Sequence, residues 1–217
     1  MLTKTQRYRH LYGILSVCLL FAFALWTALL RLADVQPIGP NGSSVGLATL
    51  NGWFHRLTGV HMTLYTLTDW LGLVPVAVCL GFAILGLIQW LKRRRIWKVD
   101  RSILVLGAFY IAVIAAYLLF EEFAVNYRPV LIDGNLEASY PSSTTLLVLC
   151  VMPTAALQLH GRIRHACLRR TVVAVILVFT VFMVIARLIA GVHWLTDIIG
   201  GILLSGGLAA GYVTAGI

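Results

Sequence analysis

Charge is scarce in this chain. Only 12% of its 217 residues are Asp, Glu, Lys or Arg, about half the share found in water-soluble domains, while 60% are hydrophobic. A soluble globular domain is therefore excluded. Cysteine is equally sparse: of the four, Cys18, Cys79 and Cys150 fall in apolar stretches and Cys167 in a basic loop, with no paired spacing. That excludes a disulfide framework and a cysteine-built metal site. No polar stretch is long enough for a second domain, so residues 1–217 read as one integral membrane domain. No internal repeat stands out, which argues against an inverted-repeat transporter. The basic start, Met1 to His10, lacks a small-residue cleavage site after its apolar run, and reads as an uncleaved first span rather than a removed signal peptide.

What the chain has is long apolar runs. They predict an all-α, polytopic membrane protein with six transmembrane helices, near 11–33, 69–91, 102–123, 143–160, 171–190 and 193–215. Six spans put both termini on one side. Lys4, Arg7 and Arg9, then Lys92 to Arg95, Lys98 and Arg101, then Arg162, Arg164, Arg169 and Arg170 collect on that side, 13 of the 17 basic residues. The positive-inside rule makes it the cytoplasmic side of a cell membrane. Seven of the eight acidic residues fall on the other side, Asp100 being the exception. The net charge of +9 is thus a topology signal, and the Lys92–Arg95 cluster reads as a lipid-facing anchor, not a nucleic-acid site.

On the outer side, the segment from Asp34 to Thr68 carries Val45, Leu47, Leu50, Trp53, Phe54, Leu57 and Val60 at spacings that fit a short helix lying at the interface. His55 and His61 in it read as ordinary polar contacts. Tyr127 and Tyr140 read as interface anchors. A small-residue face on the last helix, with Gly207 and Gly211 at Gly-x3-Gly spacing, fits a homodimer and packing within the chain equally well.

Three polar clusters share the outer face: Asn126-Tyr127-Arg128-Pro129, Tyr140-Pro141-Ser142-Ser143-Thr144-Thr145, and the stretch from Arg187 through His193 to Asp197. Ionisable residues beside apolar spans are expensive and mark functional sites. His193 and Asp197, at i,i+4, are expected to share one helical face, where the carboxylate can orient the imidazole. Arg128 and Arg187 offer planar donor forks that suit phosphate, and Ser142 and Ser143 offer hydroxyl and backbone donors at a helix start. Such a pocket suits phosphoryl chemistry at a membrane face.

These clusters resemble the type 2 phosphatidic acid phosphatase superfamily of membrane lipid phosphatases. Its motifs are Lys-x6-Arg-Pro, Pro-Ser-Gly-His and Ser-Arg-x5-His-x3-Asp, and the third matches in spacing at Arg187, His193 and Asp197. The resemblance implies a six-helix bundle without metal or other cofactor. It also implies that His193 is a nucleophile forming a phosphohistidine, that Asp197 orients it, and that Arg128, Arg187, Ser142 and Ser143 bind the phosphoryl oxygens of a membrane lipid.

Three positions depart from the pattern. The first-motif lysine falls at Glu121, or at Glu122 if the spacing is one shorter. The second-motif histidine, which protonates the leaving oxygen, is Thr144, and the serine before Arg187 is Ala186. Without that acid, three routes remain: turnover of a diphosphate such as a polyprenyl carrier diphosphate, whose leaving phosphate needs protonation least; a glutamate with a raised pKa acting as the acid; or lipid-phosphate binding without turnover.

Overall fold

The computed structural model describes residues 3–216; Met1, Leu2 and Ile217 of the expected domain lie outside the described residues. The chain forms eight α-helices among the described residues: α1 Lys4–Leu32, α2 Ala48–Thr58, α3 Met62–Leu71, α4 Leu73–Arg93, α5 Arg101–Glu122, α6 Ser143–Arg162, α7 Ala166–Ile189 and α8 Leu195–Gly216. Six stretches are long and apolar enough to cross a membrane, with α3 and α4 together supplying the second, Met62–Arg93. This is a multi-pass membrane protein.

The second span starts seven residues earlier than expected, because α3 and α4 run on through Gly72. Pro75, in the first turn of α4, has no N–H to continue the ladder back into α3, which is where the two segments are divided. α7 likewise starts at Ala166, so Cys167 sits on its first turn and not in a loop. The interfacial helix expected within 34–68 is α2.

α6 is the central helix and the most buried of the six spans. Leu146, Cys150, Val151 and Ala155 pack against Leu106, Phe109, Tyr110 and Val113 of α5 and Leu204 and Tyr212 of α8. The opposite faces leave Val17, Ile111, Val178 and Val181 exposed, as suits contact with lipid. Since lipid removes the hydrophobic drive between helices, close fit and polar links carry the packing. The small-residue face of α8 is used within the chain: a Cβ at Gly207 would lie 2.7 Å from Leu20 Cγ of α1, and Ser16 Oγ donates to the Gly207 carbonyl at 2.7 Å.

The two ends of the bundle differ. At one end, Arg9 Nε donates to the Thr214 carbonyl at 3.0 Å, Arg162 to Ser102 Oγ at 3.1 Å, and Arg93 pairs with Asp100 at 3.0 Å. The first and last described residues and the basic loops are there. The other end gathers the connections 33–47, 123–142 and 190–194, and with them all three polar clusters.

Candidate functional site

The site is built from four chain segments. After α7, the backbone turns at Gly191, whose φ of +69° suits glycine. A Cβ there would come within 1.9 Å of the Gly59 carbonyl oxygen, so the turn presses directly on the 59–61 backbone, and His61 N–H donates to the Ala190 carbonyl at 3.0 Å. This contact fixes where His193 emerges. Trp194 then anchors the start of α8: its indole N–H donates to the Tyr127 carbonyl at 2.7 Å and its ring packs against His55 at 5.5 Å.

Asp197, in the first turn of α8, accepts the Trp194 N–H at 2.8 Å, half of a capping box at the positive end of the helix. From α2, Asn51 reinforces the same turn, donating to Thr196 Oγ1 at 2.9 Å and accepting the Thr196 N–H at 3.2 Å. α2 is therefore a clamp on the site.

His193 lies before α8, not on it, so the expectation that it shares a helical face with Asp197 is corrected. Its Nδ1 is 3.9 Å from Asp197 Oδ2, too far for a hydrogen bond. Ser139 stands between them, with Oγ 2.9 Å from Nδ1 and 2.5 Å from Oδ2. Ser139 gets there by a short antiparallel pairing. Its N–H donates to the Asn126 carbonyl at 2.9 Å, and the Arg128 N–H donates to the Glu137 carbonyl at 3.1 Å. The same pairing carries Arg128 to the other side of the imidazole, where Nη1 donates to His193 Nε2 at 3.3 Å.

These partners define one tautomer. A guanidinium can only donate, so Nε2 is the acceptor with its lone pair toward Arg128; the Ser139 carbonyl, 3.2 Å from Nδ1, can only accept, so Nδ1 carries the proton. Burial pushes the His193 pKa well below its ordinary value, and the Arg128 and Arg187 charges push it the same way. The ring is neutral at physiological pH.

Arg187, in the last turn of α7, is 1% exposed. It donates to Thr68 Oγ1 at 3.1 Å, lies 3.7 Å from the Asp69 carboxylate, and stacks 4.8 Å from the Tyr65 ring centre. Arg128 is 5.9 Å from the same ring, so Tyr65 sits against both guanidinium groups. Arg128 forms a 3.0 Å ion pair with Glu137, but its Nε–H is not aligned on the carboxylate. The Nε atoms of Arg128 and Arg187 are both buried without a hydrogen-bond partner. Each is a donor that an anionic group can satisfy.

The other expected residues divide. Ser142 is the N-cap of α6: its Oγ accepts from Thr145 Oγ1 at 3.0 Å, and its N–H donates to the Asp197 carbonyl at 3.1 Å. Ser143 and Thr144 line, with Asp69, a cavity of about 520 Å³ between α3, α4, α5 and α6. Ala186 is buried beside Arg187. Glu121 and Glu122 are exposed at the end of α5. Tyr140 is no interface anchor: it is 1% exposed, stacks on Phe23 and shares a 2.7 Å hydrogen bond with Thr27.

The sequence profile of the PAP2 superfamily matches residues 116–216, from α5 to the end of α8. Over this segment the chain is similar to the PAP2 superfamily. All three motif positions lie within the PAP2 match, whereas α1 to α4 precede it. The structural likeness is wider. A PAP2-type phosphatidylglycerolphosphate phosphatase from Bacillus subtilis, 21% identical, aligns over 90% of this chain and 92% of its own with a TM-score of 0.52, and shares the fold. No curated protein sequence matches the chain.

Asn126 was named in the first polar cluster but given no role, and Ser139, Tyr65, Thr68 and Asp69 were not singled out by sequence as parts of this site. Ser139 stands two residues before the motif position at Pro141, which is the signal that could have found it. Tyr65, Thr68 and Asp69 belong to the second span and only the fold brings them near Arg187.

Proposed function

We propose that the protein is a membrane lipid phosphatase whose nucleophile is His193 Nε2. The observation that carries this reading is the convergence of Arg128 and Arg187 around a neutral imidazole whose Nε2 lone pair faces the Arg128 guanidinium. In the reaction, that lone pair bonds to phosphorus as the phosphorus–oxygen bond to the leaving group breaks, and the leaving oxygen departs with the electron pair. Water then attacks phosphorus, the N–P pair returns to Nε2, and the water gives up a proton to solvent. Arg128 and Arg187 hold the phosphoryl oxygens throughout, with charge-assisted hydrogen bonds that strengthen as charge builds. Ser143, at the start of α6, supplies a further donor.

The leaving group decides the substrate class. Thr144 has no acidity to offer near neutral pH, which favours a diphosphate, most simply a polyprenyl carrier diphosphate, over a lipid monophosphate. The cavity at Thr144 continues along α4 and α5: it shares Val76 and Ile114 with a second apolar groove of about 780 Å³ that reaches Trp90 near the opposite end. One long chain lying along the helices fits this shape. With the basic loops cytoplasmic, both termini are cytoplasmic and the site faces the other side of the cell membrane.

A second reading, lipid-phosphate binding without turnover, is favoured by Thr144 together with the carboxylates already beside each arginine, Glu137 and Asp69. Phosphate release by the purified protein in detergent, from a polyprenyl diphosphate and from phosphatidic acid, separates the two. Release that favours the diphosphate and disappears in His193→Ala supports the phosphatase; binding of both lipids with no release supports the second reading.

A further inference from the structure

We propose that Ser139 is a positioning residue of this site, its hydroxyl joining the His193 imidazole to the Asp197 carboxylate. The inference rests on the reading of His193 as nucleophile for its kinetic consequence, but not for its structural content. With 3.9 Å between Nδ1 and Oδ2, Asp197 has no direct hold on the ring. Ser139 is in hydrogen-bonding range of both. Because a carboxylate only accepts, the hydroxyl proton points to Oδ2, and the Ser139 lone pair is left to accept the Nδ1 proton. The order Nδ1–H, Oγ–H, carboxylate is therefore fixed by the partners.

The hydroxyl is also fixed in space. Ser139 is 2% exposed, and its backbone is tied to Asn126 on one side while its own carbonyl takes part of the Nδ1 proton on the other. Asp197 in turn is held by the Trp194 N–H and by Asn126 Nδ2 at 3.4 Å. When Nε2 forms its bond to phosphorus the ring gains positive charge, and this chain transmits the stabilising effect of the carboxylate to Nδ1. Removing the hydroxyl leaves the ring with the Ser139 carbonyl alone, and leaves Asp197 without one of its donors.

The test compares the full-length wild type with Ser139→Ala and Ser139→Thr in detergent, using proton and nitrogen NMR of histidine-labelled protein, with His193→Ala to assign the signal, beside steady-state kinetics. The wild type is expected to show His193 protonated on Nδ1, with a low-field Nδ1–H signal. In Ser139→Ala that signal shifts upfield or is lost to exchange, and kcat falls about 10–100-fold, as for residues that orient a catalytic group, with KM within about twofold. Ser139→Thr keeps the hydroxyl and restores both.

A wild-type His193 protonated on Nε2 overturns the proposal whether or not the variants fold, as does an unchanged Nδ1–H signal or an unchanged kcat in Ser139→Ala. If the wild type itself releases no phosphate, the phosphatase reading fails, and the NMR comparison alone still decides the role of Ser139.

Discussion

Replacing Thr144 by histidine puts a titratable group at the position where the resemblance implies the leaving-group acid. Thr144 is the second residue of α6 and its side chain borders the cavity of about 520 Å³ shared with Asp69, so an imidazole has room without displacing the buried Ser142 cap. A positioned general acid is worth about 10²–10⁴-fold, or roughly 2.7–5.5 kcal/mol of barrier at 1.36 kcal/mol per tenfold. That gain applies in full to a lipid monophosphate, whose alkoxide leaving group needs a proton. For a diphosphate the departing phosphate is a weaker base, and Brønsted behaviour limits the gain to under about tenfold. Steady-state phosphate release from phosphatidic acid and from a polyprenyl diphosphate, wild type against Thr144→His, reads the difference as a ratio of kcat/KM ratios. An equal gain on both substrates, or none on the monophosphate, would refute the leaving-group argument.

Arg187→Lys keeps the charge but loses the planar fork and its packing on Tyr65; kcat/KM is expected to fall about 10–100-fold, in line with the 1.5–3 kcal/mol typical of a hydrogen bond to a charged group, and a wild-type value would remove Arg187 from phosphate binding. Because the folded chain holds His193 neutral where an unfolded chain protonates it near pH 6.5, the folded pKa lies below the unfolded one; its stabilising contribution is complete above about pH 6.5 and is lost as pH falls below that value. Thermal melting at pH 7.5 and 5.5 should show this loss, and it should shrink in His193→Gln. Gly191→Ala places a Cβ against the Gly59 carbonyl at a left-handed φ; a loss of about 1–3 kcal/mol or more is expected, measured by melting in detergent, and an unchanged midpoint would contradict the close approach.

Much of this arrangement was legible in the sequence, for physical reasons that also explain the misses. Lipid demands long unbroken apolar helices, so four of the six spans could be placed to within about five residues, while the first begins six residues before its expected start. The second was cut short because Thr66 and Thr68 lower its apolarity, and Thr68 is also a residue that turns inward to meet Arg187. The scarcity of charge made Arg128, Arg187, His193 and Asp197 conspicuous, and the fold does bring them together. Spacing alone misled where a helix was assumed to begin two residues early: i,i+4 implied a direct His193–Asp197 contact, whereas the helix starts at Leu195 and the gap is filled by a loop serine from another segment. The clamp by Asn51 and the burial of Tyr140 depend on contacts between elements far apart in the chain, and no local pattern announces them.

The central claim is that His193 carries the phosphoryl group. Rapid quenching of the wild-type protein during turnover of a lipid diphosphate labelled in its terminal phosphate tests it most directly. The account predicts a protein-bound label that is labile to acid and stable to base, that maps to the segment containing His193, and that is missing in His193→Ala, which also releases no phosphate. Phosphate release that persists in His193→Ala would contradict it.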